Sequence, residues 1–170
     1  MKTTIALAIA CLLQFVPAAQ AQPQQPSSFS SHRQCEQFEA QQRPQIEKVI
    51  KGYEESLNAG DARGVMEVYT EDPVVLAPGA PSAVGTWAVW NTYTGIFQAI
   101  SLNITFDIVE VVFVSPEWAF VRSTSQGSIK ILANGAEIPS NNQELFVLHR
   151  SKGLWKIARY SFSSTLPAAK

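Results

Sequence analysis

The chain has 170 residues, of which 46% are hydrophobic and only 16% charged, with a net charge of −1. That length suffices for one domain with a sizeable core. The near-neutral balance supplies no basic field, so neither nucleic acid nor an anionic membrane surface is expected as a partner.

Residues 1–21 read as a secretory signal peptide. Lys2 provides the positive start, and Ile5–Val16 is apolar except for Gln14. That run suits a signal core better than a membrane span. Ala19-Gln20-Ala21 is a small-x-small cleavage site, so the mature chain is expected to begin at Gln22. Pro17 and the polar residues from Gln20 onward argue against a retained anchor. Cys11 follows Leu7-Ala8-Ile9-Ala10 like a lipoprotein site, but the apolar run continues past it. The expected destination is extracellular, or periplasmic in a bacterium, with no membrane attachment after cleavage. Cys35 is then the one remaining cysteine, which excludes an intramolecular disulfide and leaves a free thiol or a bridge between chains. No obvious histidine partner marks it as a nucleophile.

Residues 22–43 read as a disordered leader. Gln22–Gln34 is rich in Gln, Ser and Pro, and Cys35–Gln42 has the makings of a short helical turn. A domain spanning residues 44–165 follows. Pro44 suits the first turn of a helix, and Ile46, Val49, Ile50, Tyr53 and Leu57 form one apolar stripe along it. Gly60 closes that helix and Asp61 caps the next. Pro73 disfavours helical geometry at Asp72, so the second helix is expected to stop near Glu71, with Asp72 in an Asx-type turn. Val74–Ala77 and Ala83-Val84 are short strands about the turn Pro78-Gly79-Ala80-Pro81. Thr86 is the expected cap of a third helix, with Val89, Tyr93, Ile96 and Ile100 along one face and Trp87, Trp90 and Phe97 beside it. The remainder is β: Asn103–Val114, Trp118–Leu132, Glu137–Arg150 and Leu154–Ser164, with Asn134-Gly135 a strong hairpin signal. Short turns between sequential strands predict an antiparallel meander, followed by a tail over residues 166–170.

Asn58-Ala59-Gly60-Asp61, Tyr69-Thr70-Glu71-Asp72, Ala119-Phe120-Val121-Arg122 and Gly153-Leu154-Trp155-Lys156-Ile157 occur in an informative order, with the Pro-Gly and Gly85 of the short hairpin between them. In this the chain resembles the SnoaL-like and DUF4440 branch of the nuclear-transport-factor-2-like (NTF2-like) superfamily, which also contains ketosteroid isomerase. The resemblance spans roughly Pro44 to Ser164. It implies an α+β cone, a curved antiparallel sheet packed on three helices around an apolar pocket, often paired into a homodimer through the sheet. Aligned with ketosteroid isomerases, the oxyanion-binding tyrosine falls on Tyr53, the catalytic aspartate on Ala77 and the second acid on Phe146. A methyl group cannot accept a proton, so ketosteroid-type isomerisation is not expected.

Fold alone leaves function open. The expectation is a pocket for a small apolar molecule, with or without lyase, cyclase or isomerase chemistry on a hydrophobic natural product. The alternative is a non-catalytic module for dimerisation or protein interaction. Candidates for chemistry are Tyr53, Asp107, Arg122 and Glu144, with Arg122 and either Asp107 or Glu144 the pair of interest; surface charge is the competing reading, because bulges shift the facing of long strands. Lys156 and Arg159 share that ambiguity. Candidates for ligand contact are Tyr53, Trp90, Tyr93, Phe97, Phe106 and Phe146, all of which also suit a plain core. His149 reads as a partly exposed strand residue, and one histidine in the domain makes a His-rich metal site unexpected. No cofactor is expected. Asn103-Ile104-Thr105 is a glycosylation sequon, relevant in a eukaryotic source. Intact-mass analysis of exported protein is expected to show a chain starting at Gln22; a retained Met1 would reject the signal peptide.

Overall fold

The computed structural model describes residues 32–167. The expected signal segment and cleavage site, residues 22–31 and the last three residues lie outside them. The elements are α1 (His32–Ala59), α2 (Ala62–Glu67), β1 (Tyr69–Leu76), β2 (Ala83–Val84), α3 (Thr86–Ala99), β3 (Ile100–Phe113), β4 (Trp118–Ile131), β5 (Glu137–Ser151) and β6 (Leu154–Ser164). The strands form one six-stranded sheet in the order β2-β1-β6-β5-β4-β3. From β3 to β6 the expected antiparallel meander is present.

The expected leader needs correcting from His32 onward. Helix α1 is 28 residues long and runs straight through Pro44. A proline inside a helix forfeits one backbone bond, and long-range contacts offset that loss. Trp155 Nε1 donates to the buried Gln42 side chain at 2.9 Å. Phe38 meets Phe113 edge-on at 5.7 Å, and the Arg150 guanidinium lies 5.7 Å from the Phe38 ring centre. Arg43 donates to the Val111 carbonyl. Local periodicity carries no trace of partners so distant in sequence, and tertiary packing of this kind supplies most helix stability in proteins.

Helix α2 also ends earlier than expected, at Glu67, and Tyr69–Asp72 is strand. Pairing decides this. Strand β1 lies parallel to β6 and antiparallel to β2, and the Ile157 N–H donates to the Val68 carbonyl at 2.8 Å. Pro73 falls where the β1–β6 register shifts, a place where its missing N–H is tolerated. Asp72 forms no Asx-type cap. Arg159 donates to its carbonyl at 2.8 Å and pairs with its exposed carboxylate at 3.4 Å. Thr86 likewise is not the cap of α3. Gly85 takes that place with φ of 84°, while the Thr86 hydroxyl donates to the Glu71 carbonyl.

Two devices hold the sheet against α1. Strand β3 is an edge, and unpaired edge groups are a liability. Asn58 answers with its whole amide: Nδ2 donates to the Ile104 carbonyl at 2.8 Å, and Oδ1 accepts from the Ile104 N–H at 2.9 Å. The buried Glu54 carboxylate accepts from the Phe106 N–H at 2.7 Å. Opposite Ile104, Gly127 holds φ of 151°, and a Cβ there would stand 2.0 Å from the Asn103 carbonyl oxygen. Only glycine allows β3 and β4 to approach so closely where the sheet bends. Register shifts at Ile108/Glu110 and at Val147/Leu148 reverse which residues face inward on β3 and β6.

Candidate functional site

The inner face of the sheet and helices α1 and α3 line an apolar cavity of about 180 Å³ that is partly open to solvent. Leu57 and Tyr53 reach it from α1, Thr92, Tyr93 and Ile96 from α3, and Val75 and Ala77 from β1 and the turn after it. Strands β3 to β6 contribute Leu102, Ile104, Ser125, Ile129, Ser140, Asn142, Tyr160 and Phe162. Two other clefts, of about 410 and 440 Å³, are lined largely by charged surface side chains.

Three of the chain's four tyrosines, Tyr53, Tyr93 and Tyr160, line this cavity, and the fourth, Tyr69, is bonded to Tyr93. The Tyr53 and Tyr93 hydroxyls are 2.6 Å apart, and those of Tyr69 and Tyr93 are 2.9 Å apart. Tyr160 packs against Tyr53 with ring centres 5.3 Å apart, and stacks on Phe146 at 4.6 Å. Burial pushes every one of these phenols upward in pKa, Tyr93 to about 12 and the others well above the usual value. They are therefore protonated donors, not bases.

Counting hydrogens limits the chain's orientation. Three hydroxyls joined by two bonds leave one O–H over, since each carries a single donor. Tyr69 is 1% exposed and does not line the cavity. A chain running towards Tyr69 would strand its O–H in the core at a cost of about 1–3 kcal/mol. Two senses avoid that cost: Tyr69 to Tyr93 to Tyr53, or Tyr69 and Tyr53 both donating to Tyr93, whose oxygen can accept twice. The spare O–H is then on Tyr53 or on Tyr93, and both line the cavity.

A second polar feature lies along the inner faces of β4 and β5. Glu144 is 4% exposed. Its carboxylate accepts from the Ser123 hydroxyl at 2.9 Å and from the Ser125 hydroxyl at 2.5 Å. Burial raises its pKa, and the two serine bonds oppose the shift. Asn142 Nδ2 donates to both Ser125 Oγ and Ser140 Oγ at 3.2 Å.

The expected charged pair does not form. Arg122 faces the outer side of the sheet and pairs with Glu110 at 2.7 Å, with both side chains about half exposed. Asp107 is exposed and lines the outer groove beside α1. The extra residue at the β3 register shift puts Glu110, in place of Val109, opposite Arg122, while Asp107 pairs with Thr124. Glu144 is separate from both, on the inner face.

Of the six aromatic candidates, Tyr53 and Tyr93 line the cavity. Phe106 and Phe146 pack behind Tyr53, and Phe97 lies against Tyr93, so these three are core. Trp90 is half-buried away from the lining. On α3 it is the Thr92, Tyr93, Ile96 strip that turns to the cavity. Ala77 does line it, whereas Phe146 is fully buried. His149 is half-buried and stacks on Trp118 at 4.2 Å. Lys156 and Arg159 are also half-buried, and Asn103 is exposed on β3. Among the described residues no group of three or more His, Cys, Asp or Glu side chains is placed to hold a metal ion. The inner-face serines and Asn142 were not singled out from sequence. Their signal was the polar alternation Ser123/Ser125 and Ser140/Asn142/Glu144 on strands otherwise apolar inside.

A curved sheet closed by three helices around an apolar cavity is the NTF2-like, ketosteroid isomerase-like architecture. The SnoaL-like domain model matches residues 50–160, and the chain belongs to that family. A ketosteroid isomerase-like protein from Erwinia carotovora atroseptica SCRI1043 superposes with a TM-score of 0.71 at 36% identity, covering 74% of this chain and 98% of that one. A protein from Novosphingobium aromaticivorans DSM 12444, provisionally named a scytalone dehydratase, gives 0.69 at 21% identity, over 77% of this chain and 89% of that one. An NTF2-like protein of unknown function from Shewanella oneidensis MR-1 gives 0.59 at 20% identity, over 72% and 98%. No protein of curated function is significantly similar in sequence.

The phenols set a pH limit. Their folded pKa values exceed the unfolded value near 10, so the stability they contribute is complete below about pH 10 and is lost as pH rises beyond it. Each contributes a slope of up to about 1.4 kcal/mol per pH unit in that range. Absorbance at the tyrosinate band should show no tyrosine of the native protein titrating near pH 10. Phenolate should emerge together with unfolding; one that ionises reversibly near pH 10 in the folded protein would contradict the buried chain.

Proposed function

We propose that this protein binds a small, uncharged, largely apolar molecule whose oxygen accepts the spare tyrosine O–H. The observation that carries this reading is the buried chain of the Tyr69, Tyr93 and Tyr53 hydroxyls, whose one spare O–H lies at an apolar cavity. A phenol held in a dry site polarises a carbonyl and stabilises charge developing on its oxygen. That is the requirement of isomerase, cyclase and lyase chemistry on a hydrophobic natural product. The names carried by the Erwinia and Novosphingobium neighbours, an isomerase-like protein and a dehydratase, support the same class of reaction. Ala77 in the cavity wall removes the base that ketosteroid isomerases keep there, so the ketosteroid reaction is not the one proposed.

Size narrows the ligand. A cavity of about 180 Å³ is smaller than the ~300–1,000 Å³ of typical drug-sized sites. It is close to the ~150 Å³ engineered cavity that accepts benzene. A single-ring ketone fits that range. Acetophenone is expected to raise the melting temperature of the protein, and Tyr53→Phe or Tyr93→Phe, whichever removes the spare O–H, to weaken its binding about tenfold, the value of one hydrogen bond of about 1.4 kcal/mol. Arg122→Ala, on the outer face, should leave binding unchanged. Binding equal to that of the native protein by both Tyr53→Phe and Tyr93→Phe would defeat the reading.

A second reading concerns the outer sheet face. Val112, Phe120 and Val147 lie side by side across β3, β4 and β5, flanked by the exposed Leu145 and by Trp118. An apolar stripe of this kind suits a second copy of the chain. Sedimentation equilibrium should show a dimer that Val112→Lys dissociates; a monomeric native protein would remove this reading.

A further inference from the structure

We propose that the cavity has a second polar anchor, made by Ser125 and Asn142, and that its ligand is a neutral single-ring compound carrying a hydroxyl as well as the oxygen held by the tyrosines. This rests on the ligand reading above and adds the second functional group of the ligand.

The argument is again one of donors and acceptors. The Ser125 O–H is committed to the Glu144 carboxylate at 2.5 Å. One Ser125 lone pair is committed to Asn142 Nδ2 at 3.2 Å. The hydroxyl oxygen has two lone pairs, so one remains. Both Nδ2 hydrogens of Asn142 are used, on Ser125 and Ser140, which leaves Asn142 Oδ1 as an acceptor. Ser125 and Asn142 both line the cavity. The tyrosine end therefore offers a donor, while Ser125 and Asn142 offer acceptors. A ligand that satisfies both has a carbonyl or ether oxygen for the first and an O–H for the second.

Glu144 gives the anchor its sense. As a buried carboxylate bonded by two serine hydroxyls, it turns the Ser125 hydrogen away from the cavity and leaves the lone pair facing inward. It also places negative charge behind the wall, and no lysine or arginine is among the lining residues. An anionic ligand would meet repulsion without compensation. Asn142 sits four residues along β5 from Phe146, the residue packed on Tyr53. The two residues point to the same side of the strand, so the acceptors and the tyrosine donor share one wall of the cavity.

The test is calorimetric titration of the full mature chain with acetophenone, 4-hydroxyacetophenone and 4-hydroxybenzoate at neutral pH. The expected result is a gain of about fivefold to tenfold for 4-hydroxyacetophenone over acetophenone, and no binding of the anionic benzoate. Ser125→Ala should abolish the gain from the hydroxyl, read as the ratio of the affinities for the two ketones. The comparison of probes on the native protein decides the matter even where that variant folds poorly. If acetophenone binds in a way that depends on Tyr53 or Tyr93 and the added hydroxyl brings nothing, the second anchor is wrong and the tyrosine site stands. If the benzoate binds as well as the ketones, the claim of a neutral ligand is overturned. If no probe binds, this inference and the ligand reading fall together.

Discussion

Four phenol hydroxyls have been placed inside an apolar cone, and each must find a partner there. That constraint shapes the centre of the molecule. Buried hydroxyls cost free energy when unpaired, and three of the four are joined in a chain threading α1, α3 and β1. The chain has a loose end because hydroxyls bring one hydrogen each. A core built only for stability would have used phenylalanine at one of these positions and closed the account. Retaining the last O–H beside a cavity gives the fold a directed donor in a region of low dielectric, where such a donor acts most strongly.

The rest of the architecture holds that end in place. Tyr53 is positioned by α1, and α1 is tied to the sheet along its length. Gln42 holds Trp155 near one end, Glu54 and Asn58 clasp the β3 edge near the other, and Phe38 extends the contact beyond Pro44. Gly127 lets β4 approach β3 closely at the strand pair that Asn58 grips. Ser125 and Asn142 lie on the inner faces of β4 and β5, so the polar wall and the tyrosine chain line one pocket. The outer face is electrostatically separate from it, as the Arg122–Glu110 pair there shows.

Much of this was readable in the sequence. The stripe through Tyr53, the hairpin at Asn134-Gly135 and the order of motifs indicated the cone, and its meander is as expected. Elements held by distant partners were not readable. The first turns of α1 depend on Trp155 and Phe113, which lie far along the chain. The segment Tyr69–Asp72 becomes strand because β6 is beside it, although its own residues tolerate a helix. At the site, the alignment placed Tyr53 and Ala77 where the cavity has them. The pairing of Arg122 was hidden because one extra residue in β3 brings Glu110, in place of Val109, opposite it, while Asp107 pairs with Thr124. Ser125 and Asn142 were visible only as a polar alternation, a pattern that solvent-facing strands also show.

The central claim is that the tyrosine chain presents its spare O–H to a ligand oxygen. A crystal structure of the protein with 4-hydroxyacetophenone tests this most directly. The ketone oxygen should lie within ~2.6–3.0 Å of the Tyr53 or Tyr93 hydroxyl, with the ring between α3 and the concave sheet. A ligand seated instead in the outer groove beside Asp107, or in the cavity with its oxygen turned away from every tyrosine, would contradict it.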